Sequence, residues 1–341
     1  MAYEPHGKHA MGRVVVAASA LILLGVRTVP HAAATRPVCY LRAQSEPPSP
    51  PSTLAQEGMR RLMDADFAGA TDIFRQIQKS EPASPLGYLL EADVDWWKIY
   101  LTRGNLIDPD VFESLSEAET PYDPDFARLN AVAIQKAEAG IRAHRDAAFN
   151  SFCEGLAYAL DGRLQALRDH ALAAARDGKK MRSLSLAALR LDPQLADANL
   201  GVGIYNYFEA TLPGYVRMLR FLIGLPKGDR AVGLEQLRKA AEEGAIVRPE
   251  AQFHLAKNFS RHIEQQYPKS LAIFQQLTQD YPDNPLWKLL VGSVELRMGQ
   301  ADAGETHYRE AIKMVAMLDP GIWEPLRDQA KKALHRRHRT P

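Results

Sequence analysis

The chain has 341 residues, enough for one large domain or two ordinary ones, and an apolar fraction of 46% excludes disorder throughout. Lys plus Arg total 42 against 41 Asp plus Glu, so there is no field of one sign of the kind a phosphate backbone demands, and no nucleic acid partner is expected. Two cysteines, Cys39 and Cys153, exclude a disulfide framework and an all-cysteine zinc site.

In chain order, Lys8 and Arg13 precede the apolar run Val14 to Val26. Arg27 stops that run, and Ala32-Ala33-Ala34 then offers small residues where a signal peptidase reads. The run falls short of the roughly 20 residues a spanning helix needs. Residues 1–34 therefore read as an export signal cut after Ala34, with an uncleaved membrane anchor as the alternative. The mature chain is expected in the periplasm or on an outer membrane. Arg36 and Pro37 before Cys39 do not make a lipobox. Pro47, Pro48, Pro50 and Pro51 make residues 35–52 an extended spacer rather than a helix.

From residue 53 onward almost every segment has helical periodicity, and turn signals recur every 15 to 20 residues or so. One pattern repeats: a small residue, a large apolar or aromatic four later, another apolar three later, then often proline. It reads Ala70, Phe74, Ile77, Pro82, and again Ser270, Phe274, Leu277, Pro282. Shorter copies are Gly233, Leu237, Ala240 and Gly304, Tyr308, Ala311. Steps of four and three share one helix face, where the small residue admits a neighbouring helix and the aromatic fills the space. The pattern predicts an all-α chain. Residues 53–321 form about six helix pairs, with an insertion at 212–228, and residues 322–341 form a capping helix and a basic tail. Cys153 reads as a small buried hydrophobe.

These positions resemble the second helix of the tetratricopeptide repeat (TPR), a 34-residue helix–turn–helix unit, and Gly58 and Gly292 sit where that unit has a first-helix glycine. Residues 192–243 are similar to a narrower TPR-like family. The matching residues are Asp192-Pro193, Ala196-Asp197-Ala198, Gly201, Gly203-Ile204-Tyr205-Asn206-Tyr207, Leu212-Pro213, Gly228-Asp229-Arg230 and Gly233-Leu234. That family includes bacterial exported proteins and eukaryotic proteins of inclusion-body clearance and lipid homeostasis. The resemblance implies a superhelix of antiparallel helix pairs and a non-enzymatic adaptor without cofactors.

Within the insertion, Pro213 and Pro226 bracket Tyr215, Val216, Met218, Leu219, Phe221, Leu222, Ile223 and Leu225, with Arg217 and Arg220 on one side. So apolar a segment must be covered. It could plug the solenoid's own groove, meet a partner or enter a membrane surface. No chemistry-bearing motif stands out. Gly224 to Asp229 lacks the glycine–lysine–hydroxyl order of a phosphate loop, and no HExxH or paired-cysteine metal motif is present. Asp93 and Asp95 beside Trp96-Trp97 could contact a sugar, but their spacing sends them to different sides of a helix, and the tryptophans suit packing. His254 and His262 read as groove or surface residues of one helix. His335 and His338 sit in the basic tail.

The expected function is a non-enzymatic interaction scaffold of the cell envelope that holds a protein or peptide in a concave groove. First-helix residues Tyr205, Asn206, Tyr207, Phe253, Asn258 and Trp287 would face that groove, and Arg217 and Arg220 of the insertion are further candidate partner contacts. Packing inside the solenoid is the alternative for each. The competing function is a carrier of an apolar ligand or lipid, lidded by residues 212–228.

Overall fold

The computed structural model describes residues 53–110, 118–212 and 224–337, all within one compact unit, Glu46–Pro341. The segment read as an export signal, the expected spacer with Cys39, Arg217, Arg220 and most of the apolar insertion lie outside the described residues. Among the described residues every regular element is helical. The helices are α1 (Thr53–Met63), α2 (Phe67–Ser80), α3 (Leu86–Arg103), α4 (Asp123–Arg142), α5 (Ala147–Leu167), α6 (Ala171–Leu191), α7 (Asn199–Thr211), α8 (Arg230–Glu243), α9 (Arg248–Phe259), α10 (Tyr267–Asp280), α11 (Pro285–Arg297), α12 (Ala301–Val315) and α13 (Pro320–Arg337). A short 3-10 turn, Ala196–Ala198, leads into α7. Each helix packs on the next, so the architecture is an all-α solenoid of antiparallel pairs.

The repeated positions explain that packing. Ala70, Phe74 and Ile77 are buried, as are their counterparts Ser270, Phe274 and Leu277, and Gly304, Tyr308 and Ala311. Gly58 of α1 lies against the Phe74 ring so closely that a Cβ would come within 2.2 Å of it. Ser270 fills the small position of α10 and donates its hydroxyl to the Ala256 carbonyl at 2.7 Å, tying α10 to α9. Helix starts follow their caps. The Asp66, Asp229 and Asn284 side chains accept from Gly69, Val232 and Leu286 amides at α2, α8 and α11. Proline opens α4, α9, α10 and α11, where a missing N–H costs nothing.

Asp197 organises the turn between α8 and α9. Its buried carboxylate accepts the amides of Ala245, Ile246 and Val247 at 2.8 to 3.0 Å. Three orphan donors ahead of a helix are thereby satisfied by one side chain from the previous repeat.

The solenoid closes on itself. The Asn284 and Trp287 side chains at the start of α11 both donate to the Met63 carbonyl at the end of α1, at 2.8 and 3.0 Å. Asp64 accepts from the Asp283 amide. Phe67 of α2 stacks on Trp323 of α13, with ring centroids 5.9 Å apart. Helix α13 packs along α3. The concave groove expected of a stack of helix pairs is therefore interior space between first-of-pair helices.

Candidate partner-binding site

Helices α3, α5, α7, α9 and α11 line that interior, and their side chains fill it. Trp97 of α3 meets Phe253 of α9 edge-on at 5.3 Å and Trp287 of α11 at 6.1 Å. Tyr100 closes the same cluster against Phe253. Trp96 and Trp97 are core residues, in keeping with the packing role expected of them. Asp95 leaves the centre and pairs with Lys98 at 3.0 Å.

Asp93 points inward. Its neighbourhood holds Arg163 of α5 and Glu250 of α9, joined by a hydrogen bond from the guanidinium to Glu250 Oε1. Arg163 also lies over the Trp96 ring, 4.5 Å from its centroid. Burial pushes Glu250 up, but Arg163 and then His254 overcome this and hold it well below the usual carboxylate range. Burial and the Glu250 charge push Asp93 well above it. Burial, with Arg163 nearby, lowers His254 to about 4, so this imidazole is neutral at physiological pH. Asp93 Oδ1, Glu250 Oε2, His254 Nε2 and both indole nitrogens of Trp96 and Trp97 have no hydrogen-bond partner among the described residues. The cluster places one ion pair and two uncharged titratable groups among aromatic rings. The Arg163–Glu250 pair ties α5 to α9.

At the rim formed by the C-terminal ends of α3, α9 and α11, a non-helical stretch, Gly104–Asp110, seats itself on these helices. Leu106 is 1% exposed and, with Ile107 and Pro109, lines a small cavity whose other walls include Lys257, Phe274, Leu290 and Val294. The Gln329 carboxamide of α13 brackets the backbone, accepting from the Leu106 amide and donating to the Gly104 carbonyl, both at 3.0 Å. Arg297 donates to Asp108 at 2.7 Å and to Asp110 at 2.9 Å. Asp110 also accepts the His262 amide, and Arg261 Nε lies 3.9 Å from it. Asn105 turns the chain by accepting from the Ile107 and Asp108 amides.

The residues expected to face the groove do sit on inner helices, but they are buried rather than displayed. Tyr205 donates its hydroxyl to the Pro226 carbonyl at 2.7 Å, and Asn206 donates to Gln236 at 2.8 Å. Both serve the chain's return from the insertion, where Gly228 passes too close to the Asn206 carbonyl for a Cβ. Tyr207 packs edge-on to Phe208, and Phe253, Asn258 and Trp287 are buried in the interior. The reason is closure, which turns the concave surface into core. Helix α9 ends at Phe259, so His262 lies beyond it and, contrary to expectation, does not share a helix with His254. Cys153 is a buried free thiol, pushed up by burial. No group of three metal-ligating side chains forms among the described residues, and no described helix is long and apolar enough to cross a membrane.

Sequence reading passed over Gly104–Asp110. The available signal was the run Leu106-Ile107-Asp108-Pro109-Asp110 directly after α3, in which apolar residues are interleaved with carboxylates. Compared with known proteins, the chain matches no family model and no curated protein.

Proposed function

We propose that this chain is an exported, non-enzymatic interaction scaffold of the cell envelope, a TPR-type solenoid that holds a protein or peptide partner. The observation that supports this reading is the seat of Gly104–Asp110. The solenoid grips a non-helical stretch of polypeptide with an apolar anchor, a carboxamide that reads backbone, and an arginine that takes two carboxylates. These are the elements of peptide recognition, and none of them depends on the gripped segment's being covalently attached. The partner site moves with this reading. It lies at the rim where the inner helices end, and not on the buried Tyr205, Asn206, Tyr207, Phe253 and Asn258. The Arg217 and Arg220 stretch stays a further candidate contact. A carrier of an apolar ligand has less support, because Trp96, Trp97, Phe253 and Trp287 occupy the volume between the inner helices.

Native mass spectrometry on the full chain recovered from its own membrane fraction tests the proposal. A stoichiometric polypeptide partner is expected. A bound lipid in its place would overturn the scaffold reading in favour of the carrier.

A further inference from the structure

We propose that Gly104–Asp110 is a stand-in for the partner, and that the partner offers an apolar residue followed at every second position by a carboxylate, as Leu106, Asp108 and Asp110 do. This rests on the scaffold reading and names the chemistry of its ligand.

Four observations carry the assignment. The seat uses generic polypeptide features: Gln329 reads one carbonyl and one amide, and Leu106 is buried, lining a small cavity with Phe274, Leu290 and Val294. The specific part is charge at alternate positions. Asp108 and Asp110 converge on Arg297, and Asp108 Oδ1 also accepts the Asp110 amide, which shapes the turn. The internal segment does not exhaust the site. Arg261 Nε is buried with no hydrogen-bond partner among the described residues and sits 3.9 Å from Asp110. Lys257, which lines the same pocket, donates to the Tyr100 hydroxyl and has no carboxylate within ion-pair distance among the described residues. Arg297 thus holds both resident carboxylates directly, while Arg261, which also donates to Thr211 and lies over the Tyr207 ring, keeps an unsatisfied Nε that a closer carboxylate would meet.

The geometry also says why the resident can be exchanged. The Asp108 and Asp110 side chains are 45% and 30% exposed, so their pairs with Arg297 are reachable by solvent and competitors. Such pairs are individually weak. A covalently tethered segment competes as if present at roughly millimolar concentration, so a free copy of it binds the intact chain poorly. A partner prevails by adding contacts or charge.

The probe is a fluorescein-labelled synthetic peptide with the sequence of residues 104–110, beside a version carrying asparagine at both aspartate positions. Binding is read by anisotropy on the full chain and on Asp108→Asn/Asp110→Asn, with circular dichroism to establish folding. The folded double variant is expected to bind the acidic peptide about tenfold or more tighter than the unaltered chain does, consistent with release of a tethered competitor. It should also prefer the acidic peptide to the asparagine one, and adding Arg297→Ala should erase that preference. Equal affinity for the two chains, or no preference between peptides, overturns the assignment. Should the variant not fold, amide exchange on the unaltered chain decides. Millimolar acidic peptide should speed exchange at Leu106, and an unchanged rate overturns the proposal. A polypeptide partner recovered from the membrane fraction together with peptides that fail to bind would leave the scaffold standing and remove only this assignment of its ligand.

Discussion

The indole of Trp287 donates to the main-chain carbonyl of Met63 at 3.0 Å, joining the start of α11 to the end of α1. Asn284 donates to the same carbonyl. Either donor alone still satisfies the buried acceptor, so Trp287→Phe should cost about 0.5–1.5 kcal/mol, and Asn284→Ala, which also removes the cap of α11, about 1–3 kcal/mol. Together they strand the carbonyl, at about 1–3 kcal/mol beyond the sum. A double-mutant cycle from urea unfolding measures the coupling. Simple additivity would show that the shared acceptor does not matter to closure.

Arg163 and Glu250 form a buried pair between α5 and α9. Arg163→Met leaves a carboxylate with no cation and should cost about 3–5 kcal/mol, whereas Arg163→Met/Glu250→Gln should recover part of that loss. The pH dependence has a definite sign. Glu250 is held below its unfolded value, so its contribution is present above about pH 4 and is lost as pH falls toward 2. Acid unfolding of Arg163→Met should lack that component. An unchanged acid limb would show that Arg163 is not what lowers Glu250.

Asp161 of α5 has the opposite sign. Burial pushes it up to about 6, against a hydrogen bond involving Asn130 and with help from the charge of Asp177. A carboxyl raised on folding favours the native state below its unfolded value and loses that contribution as pH rises through about 6. Asp161→Asn should therefore flatten the stability curve between pH 4 and 6. Relative to pH 4, the variant gains on the order of 3 kcal/mol at pH 7, from about two units at about 1.4 kcal/mol each. Thermal melts across that range check it, and parallel curves for the two chains would refute it.

Gly58 and Phe74 are a matched pair across α1 and α2. A methyl at Gly58 would press on the ring from 2.2 Å, so Gly58→Ala should cost about 1–3 kcal/mol by overpacking. Gly58→Ala/Phe74→Leu should cost less than the two single changes added together, since the smaller side chain makes room. Strict additivity in denaturant unfolding would count against direct contact.

The helical solenoid was legible because small–large–apolar spacing is a local signal. Ala70, Phe74 and Ile77 announce a packed second helix without reference to the rest of the chain, and they are buried as that pattern demands. The interior was not legible, because closure depends on contacts between residues far apart in sequence. Nothing near Trp287 indicates that Met63 will meet it. Tyr205, Asn206 and Phe253 look like recognition residues for the same reason that they make good core, combining area with a hydrogen-bonding tip. Only the return of α11 and α13 onto the first helices decides between those roles. The Asp93, Arg163 and Glu250 cluster is half visible in the sequence: Asp93 stands beside its tryptophans, while its charged neighbours come from two other helices.

Closure also changes how this chain should fold. An open repeat array has only neighbour contacts, can nucleate anywhere and can lose a terminal unit while the others stay folded. Here a hydrogen bond spans a sequence separation of 224 residues, and the last helix covers the third. Loops of that length must close before the contacts they permit can reward them, so folding should be slower than that of an open array of equal size. Melting should be a single event. Removing α13 would also uncover α3, near the far end of the sequence, so shortening the stack from its C-terminal end should unfold it rather than trim it.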